Sequence, residues 1–461
     1  MMSIIRCNHP IAVCITIFVM ALCVNTTQSF LSPNNHGKSC LKQMPSSTST
    51  TELYMASKSK TKKKKKTSSS ASSGGLKGFG SSSSTATTKG MEGGTIDRSP
   101  SALKFYDYLQ RNGGESNLKR VGLGYFPIRI GPNEDDTIQL RGVIALRDIP
   151  KGESIIEIPY EMAMDLGRES ADPTLPATTL LQKYCTWRSN SDGPPGDREK
   201  YGDYFAMLPT DDHLGSTDFF SDTALEMLQS PSIVEETMSR RELVKARYER
   251  DVEPMAQMSS NLYRWESDTD DNDTDDDSNK IATQSHLQWA SWIITSRVLT
   301  VQGPPESNTA NRLLIPLIDM CNHDRDSPHV LTGRAMAGGV LKVVAGIDVK
   351  KGDQINIGYG GGVEGNDRFI QDYGFLDTGG SLEGSKNKGI PEAYKIVAKK
   401  LLGKGRVRMS AAEQEQCVDA LQETSLDDDE KLLLSGTVLK NDERMALEYR
   451  VGVKKAYNAL W

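Results

Sequence analysis

Hydrophobic positions along this chain fall into two kinds of run, short β-rich ones and longer ones at helical spacing. The β-rich runs Gly142–Leu146 and Val340–Ala345 each enter a turn built on the same pattern. The first turn reads Leu146-Arg147-Asp148-Ile149-Pro150-Lys151-Gly152-Glu153 and leads into the strand-like Ser154–Ile158. The second reads Gly346-Ile347-Asp348-Val349-Lys350-Lys351-Gly352-Asp353 and leads into Gln354–Ile357. A run, a Lys-Gly turn and a returning run predict an ordinary hairpin at each place. Gly152 and Gly352 tolerate the positive φ that such turns often require.

Helical spacing dominates the rest. Ser99 as N-cap and Pro100 at the first helical position open a helix whose apolar face is expected to carry Leu103, Tyr106 and Leu109, and Gly113-Gly114 ends it. Between the β-rich parts, Tyr201–Leu208, Phe219–Leu228, Ile233–Arg250 and Ile281–Val301 read as helices. The break at 266–278 holds seven aspartates and reads as a solvated acidic loop, since it lacks the glycine and final glutamate of a calcium-binding EF-hand. After Asp377 the pattern is helical again, over Pro391–Leu402, Ser410–Thr424, Asp428–Leu439 and Asn441–Leu460.

Composition narrows the classes. The chain has 461 residues, 37% of them hydrophobic, and a formal net charge of −6, which gives no footing for nucleic acid. No apolar run reaches the roughly 18 residues of a membrane span. Cys185, Cys321 and Cys417 stand far apart without CxxC spacing, which argues against a disulfide framework or a zinc site, and no metal is expected.

The N-terminal segment reads as an address. Arg6, the apolar stretch Ile11–Val24 and the small residues Thr27 and Ser29 have the order of a signal peptide over residues 1–29. Residues 30–98 then read as a transit-like segment and linker, with Glu52 the sole acid between Phe30 and Ser59 and a Ser/Gly-rich tract before the first helix. The combination resembles the bipartite plastid presequences of algae with complex plastids. Secretion and a nuclear address at Lys62–Lys66 are the alternatives.

The most specific segment is Arg312-Leu313-Leu314-Ile315-Pro316-Leu317-Ile318-Asp319-Met320-Cys321-Asn322-His323. It is followed by Ile357-Gly358-Tyr359-Gly360 and by Asn366 with Tyr373-Gly374-Phe375, and preceded by Phe205–Pro209, Ser221–Arg241 and Trp289–Arg297. In this order these motifs resemble the SET-domain protein methyltransferases, in particular the Rubisco large-subunit lysine methyltransferase group, over about Arg141 to Asp377. The chain departs from that group's pattern at Gln139 and Arg141, where a glutamate and an apolar residue are usual, and by two extra residues between Tyr359 and Asn366.

The resemblance implies an α+β fold. A β-rich, pseudoknotted SET core over 99–378 would carry a helical insertion at about 160–296, and a short all-helical C-terminal region would follow over 379–461. It implies methyl transfer from S-adenosylmethionine to a side-chain nitrogen of a protein, a lysine first and a histidine second, by a monomer. A non-catalytic SET-like binding module is the rival from another class. By position in the motifs, Arg141, Gly142, Arg297, Asn322, His323 and Phe375 would bind the cofactor, with Arg297 on a carboxylate and Phe375 near the adenine. Asp319 and Tyr373 would neighbour the acceptor, and Tyr359 would be catalytic, orienting the methyl through its hydroxyl and nearby carbonyls.

Overall fold

Each Lys-Gly turn hydrogen-bonds to the other instead of closing a hairpin on itself. The computed structural model describes residues 94–461 apart from 130–136, 171, 189–194, 210–214, 260–261, 266–280, 363, 379–388, 406–408 and 436, so the expected presequence and linker up to residue 93 and the acidic loop lie outside the described residues, whereas Thr95–Ile96, expected in the linker, form a strand. Its strands are β1 (Thr95–Ile96), β2 (Val121–Arg129), β3 (Thr137–Ala145), β4 (Ser154–Pro159), β5 (Met164–Arg168), β6 (Leu299–Gln302), β7 (Ala310–Leu314), β8 (Asn322–His323), β9 (Val330–Thr332), β10 (Val340–Val344) and β11 (Gln354–Ile357). They form three sheets, ordered β1-β2-β3-β11-β8, β4-β10-β9 and β5-β7-β6. The architecture is α+β.

The expected hairpins are therefore replaced by a crossed pairing. β3 enters the first turn and pairs with β11, which leaves the second, while β4 pairs with β10. At the crossing, Ile149 N donates to Val349 O and Val349 N to Ile149 O, both at 2.9 Å. Gly152 N donates to Ala345 O and Gly352 N to Ala145 O, both at 2.8 Å. The carboxylates are exchanged as well: Asp348 accepts from Lys151 N at 2.8 Å and Asp148 from Lys351 N at 3.0 Å. The two copies of the pattern thus satisfy one another around a local pseudo-two-fold. Ile149 and Val349 are both buried, so the apolar residue at the middle of each connection draws the turns together.

Helices cover this core. In the helix Pro100–Arg111, Ser99 Oγ accepts from Ala102 N, as an N-cap should. Its buried stripe is Ala102, Phe105, Tyr108 and Leu109, and Leu103, expected on that face, is 50% exposed. Both stripes have helical spacing. The buried one is the one that brings the Phe105 and Tyr108 rings against each other and against Tyr204. The helix Gln284–Arg297 stops short of the expected end, and Val298 turns extended into β6, where β-branched Thr300 and Val301 favour strand.

Two buried clusters result. The first spans the sheets and the insertion helices Thr174–Arg188 and Gln284–Arg297. The second joins Tyr394, Val397, Leu421 and Tyr449 of the C-terminal helices to Phe220, Leu225 and Ile233 of the insertion and to Ile370. No described helix is long and apolar enough to cross a membrane.

Gly152 and Gly352 have φ of +87° and +92° with nothing within 4 Å of an added Cβ. Gly152→Ala and Gly352→Ala should therefore each cost about 1–2 kcal/mol through backbone strain alone. Denaturant unfolding measures both, and the pseudo-symmetric geometry predicts equal losses.

Candidate functional site

The site forms where β8 runs parallel to β11, pairing Asn322 with Asn356 and His323 with Ile357. Because β11 pairs with β3 on its other edge, Asn322 reaches across to the first β-rich run, and its Nδ2 donates to Arg141 O at 3.0 Å. Gly142 makes this possible. A Cβ there would lie 2.6 Å from Asn322 Nδ2 and 2.7 Å from Gln354 Nε2. The missing side chain is room for two amides. The Arg141 guanidinium points elsewhere, donating to Met207 O at 2.8 Å.

The segment before Asn322 carries Asp319, whose side chain has 0% exposure. Its Oδ2 accepts from Tyr204 Oη at 2.9 Å and from Arg297 Nη1 at 3.3 Å, and Arg297 Nη1 also donates to Asp319 O at 3.0 Å. Burial raises the Asp319 carboxyl above the ordinary aspartate range, and Arg297 and Tyr204 oppose the shift. Leu317, just upstream, has φ +72° and ψ −41°, a strained region for a γ-branched residue. Its complete burial holds the backbone there and aims Asp319 inward.

An aromatic group completes the site. His323 Nδ1 accepts from Tyr359 N at 3.0 Å, so in the neutral ring Nε2 carries the hydrogen. That Nε2 is buried without a hydrogen-bond partner among the described residues, 3.7 Å from Asp377 Oδ2. Tyr359 Oη donates to Cys321 O at 2.6 Å, and its ring stacks on Tyr373 with centroids 4.9 Å apart. Phe375 lies 5.2 Å from Phe369, 5.8 Å from His323 and 6.3 Å from Tyr359. Burial raises the Tyr359 phenol, with Arg297 opposing, and burial also raises the Cys321 thiol. Both stay protonated at neutral pH. Burial biases Asp319 toward its neutral form as well.

All nine residues singled out from the sequence thus belong to one neighbourhood: Arg141, Gly142 and Asn322 at the strand crossing, Arg297 and Asp319 in the buried pair, and His323, Tyr359, Tyr373 and Phe375 in the aromatic group. Residues 140–360, which hold seven of the nine, match the SET domain family. The chain carries a SET domain.

Relatives of this SET domain are plant enzymes. The chain is 24% identical over 254 residues to the chloroplastic ribulose-1,5 bisphosphate carboxylase/oxygenase large subunit N-methyltransferase of Nicotiana tabacum, covering 51% of this chain and 45% of that protein. It is 22% identical over 252 residues to the protein of the same name from Pisum sativum, with the same shares covered. The chain therefore spans somewhat under half the length of these two relatives. Among solved structures, it is similar to Rubisco LSMT bound to AdoMet, at 17% identity and a TM-score of 0.49 over 78% of this chain and 91% of that one. It is also similar to the SET domain of LSMT bound to lysine and AdoHcy, at 16% identity and a TM-score of 0.49 over 78% and 90%.

Sequence reasoning missed four members of the SET domain site. Tyr204 precedes the segment Phe205–Pro209 already singled out, yet nothing local marks its hydroxyl as the partner of a carboxylate 115 residues away. Gln354 read only as the start of a strand. Phe369 and Asp377 flank the Tyr373-Gly374-Phe375 motif, and their ring and carboxylate join His323 only in three dimensions.

Tyr204→Phe tests the buried pair. It keeps the ring and leaves Asp319 Oδ2 with Arg297 alone, which should cost about 1–3 kcal/mol at pH 8. The Asp319 carboxyl is raised in the folded state, so its ionised form disfavours folding above that raised value, and protonation relieves the penalty. The loss in the variant should therefore shrink as pH falls from 8 toward 5, measured by denaturant unfolding at each pH.

Proposed function

We propose that this protein transfers a methyl group from S-adenosylmethionine to a side-chain nitrogen of a protein substrate, a lysine in the first instance. The observation that carries the reading is the Tyr359 hydroxyl held on the Cys321 carbonyl, beside the Arg297–Asp319 pair and the Asn322–Arg141 crossing. The SET domain and its N-methyltransferase relatives support the same class of reaction.

The residues fit the cofactor chemically. Gln354 Nε2, Asn356 Oδ1 and Asp319 Oδ1 are buried and have no hydrogen-bond partner among the described residues. The first two border the Gly142–Asn322 crossing, and the third sits on the carboxylate that holds Arg297. A ligand with an ammonium, a carboxylate and a purine would answer such atoms. Arg297 would take its carboxylate, Asn322, His323 and the backbone of Arg141 and Gly142 its polar edges, and Phe375 its aromatic ring. When bound, the cofactor supplies a methyl group on a positively charged sulfur.

The chain's own residues supply the rest. The Tyr359 phenol stays protonated, keeps its donor on Cys321 O and leaves its oxygen lone pairs to polarised C–H groups. Tyr359 and Tyr373 give the acceptor an aromatic wall. A free lysine costs about 4 kcal/mol to deprotonate at pH 7.5, and an apolar wall beside a cation lowers that cost by disfavouring the ammonium. Asp319 Oδ2 is already engaged by Tyr204 and Arg297, so the reading sends the proton to solvent.

Mass spectrometry of plastid proteins from cells lacking this chain identifies the substrate as the one whose methyl mark disappears. On that substrate, Tyr359→Phe should lower the single-turnover rate tenfold to a thousandfold, about 1.4–4 kcal/mol, with little change in cofactor affinity. Asn322→Ala should instead weaken S-adenosylmethionine binding by about 2 kcal/mol, read by calorimetric titration. A Tyr359→Phe variant working at the wild-type rate makes Tyr359 a packing residue. An absence of any cofactor binding by the intact protein favours the non-catalytic binding module.

The reading extends to location. The two plant relatives are chloroplastic, and the basic, Ser-rich stretch after Phe30 is of the transit type. Fused to a fluorescent protein, residues 1–60 should direct it to plastids, and signal in the medium or nucleus would contradict this.

A further inference from the structure

The stretch Asn366–Phe375 has two faces. One presents Phe369, Tyr373 and Phe375 to His323 and Tyr359. The other presents Arg368, Ile370, Gln371 and Asp372 to the insertion helix Pro231–Arg247 and the segment before it. Between the faces the backbone widens into a π-helical turn over Phe369–Tyr373, a rare geometry that recurs at functional sites.

The second face is held by a buried ion cluster. Arg240 donates to Asp372 Oδ1 at 2.6 Å, to Glu236 Oε1 at 2.8 Å and to Gln371 O at 3.3 Å. Asp218 Oδ2 lies 3.9 Å from the same guanidinium. Arg368 grips both oxygens of Glu236 at 2.7–3.0 Å and stands 3.7 Å from Asp372. Asp372 is only 3% exposed and Arg368 9%. Two cations stand against three carboxylates: Arg368 holds Glu236 bidentately, and Arg240 bridges Glu236, Asp372 and the Gln371 carbonyl, which fixes direction as well as distance.

A backbone contact closes the same joint. Gly374 has φ +78°, and a Cβ there would overlap the backbone of Gly215 and come within 2.6 Å of Ser216 N. Gly215 and Ser216 lead directly to Asp218. The chain on both sides of Tyr373 is therefore pinned to the insertion, by a carboxylate at 372 and by a glycine at 374.

We infer that Arg240, acting through Asp372 and with Arg368 and Glu236, is a positioning residue for Tyr373 and Phe375, so that the helical insertion sets the aromatic wall of the site. That this wall faces an acceptor rests on the reading under Proposed function; the positioning itself does not. Arg240 bonds to Asp372 and to the Gln371 carbonyl, one and two residues before Tyr373. Its effect travels through one rigid turn: Asp372 adjoins Tyr373, and the Gly374 and Phe375 amides both donate to Phe369 O, at 3.0 and 3.4 Å.

Arg240→Met and Arg240→Lys in the full chain test this by hydrogen-exchange mass spectrometry, with S-adenosylhomocysteine titration in parallel. Arg240→Met should speed exchange over residues 366–377 at least tenfold while β3, β11 and the helix Asn441–Leu460 keep their wild-type rates. It should also weaken S-adenosylhomocysteine binding about tenfold. Arg240→Lys keeps a charge without the fork and should fall between Met and wild type in both measurements. Uniformly faster exchange, no local change, or a Lys variant no better than Met would overturn the positioning role. Local loosening with unchanged affinity would show that the cluster does not reach the site, and overturn it equally. If the wild-type protein binds no S-adenosylhomocysteine, the cofactor reading falls, and the exchange pattern alone decides for or against positioning. Should Arg240→Met not fold, Asp372→Asn removes the same ion pair with the shape kept and carries the same expectations.

Discussion

A carboxylate with no exposed surface has to be held by something, and around Asp319 that requirement organises the centre of the molecule. Burying an unpaired ion costs several kcal/mol. The compensation comes from Arg297 at the end of one insertion helix and Tyr204 at the end of another. Two helices from the segment between the β-rich runs are thus joined to the strand core at one buried point. The chain turns sharply at Leu317, two residues before Asp319, with φ at +72°. Disturbing the pair disturbs the crossing beside it, because Asn322 follows three residues later.

The acid–base character of the site follows from burial more than from residue type. A tyrosine, a cysteine and an aspartate stand close together, and desolvation pushes all three toward their neutral forms. Arg297, partly in contact with solvent, opposes the shifts of Tyr359 and Asp319. Such a site suits a reaction in which the ligand brings its own charge and leaving group, and in which protein atoms orient, screen and exclude water. His323 Nε2 and Gln354 Nε2 are buried there with no hydrogen-bond partner among the described residues.

Much of this was legible in the sequence where one motif carries both a fold and a chemistry. Pro316–His323, Tyr359 and Tyr373–Phe375 drew attention by residue type and spacing, and the structure gathers them. The pairing of the β-rich runs was not legible. Period and turn chemistry predict that a Lys-Gly turn sits between two strands, and they are silent on which strands pair, so two hairpins were expected where a crossed pair exists. The helix face at Leu103 misled for a related reason: two stripes satisfied the helical period, and only the distant ring of Tyr204 chose between them. The Glu236–Arg240–Arg368–Asp372 cluster could not be read at all, since its members look like ordinary solvated charges until they are folded together more than 130 residues apart in sequence.

The crossed turns also constrain how the chain can fold. Their reciprocal bonds join residues about 200 positions apart, such as Lys151 with Asp348 and Lys351 with Asp148. Neither copy of the pattern can satisfy itself, so each half of the β core waits for the other. Closing so long a loop is slow, yet its entropic cost rises only as the logarithm of length, about 0.6 kcal/mol per doubling. Loop-closure entropy therefore sets only a weak limit on the length of the segment between the two turns, while the turns themselves can change only as a pair.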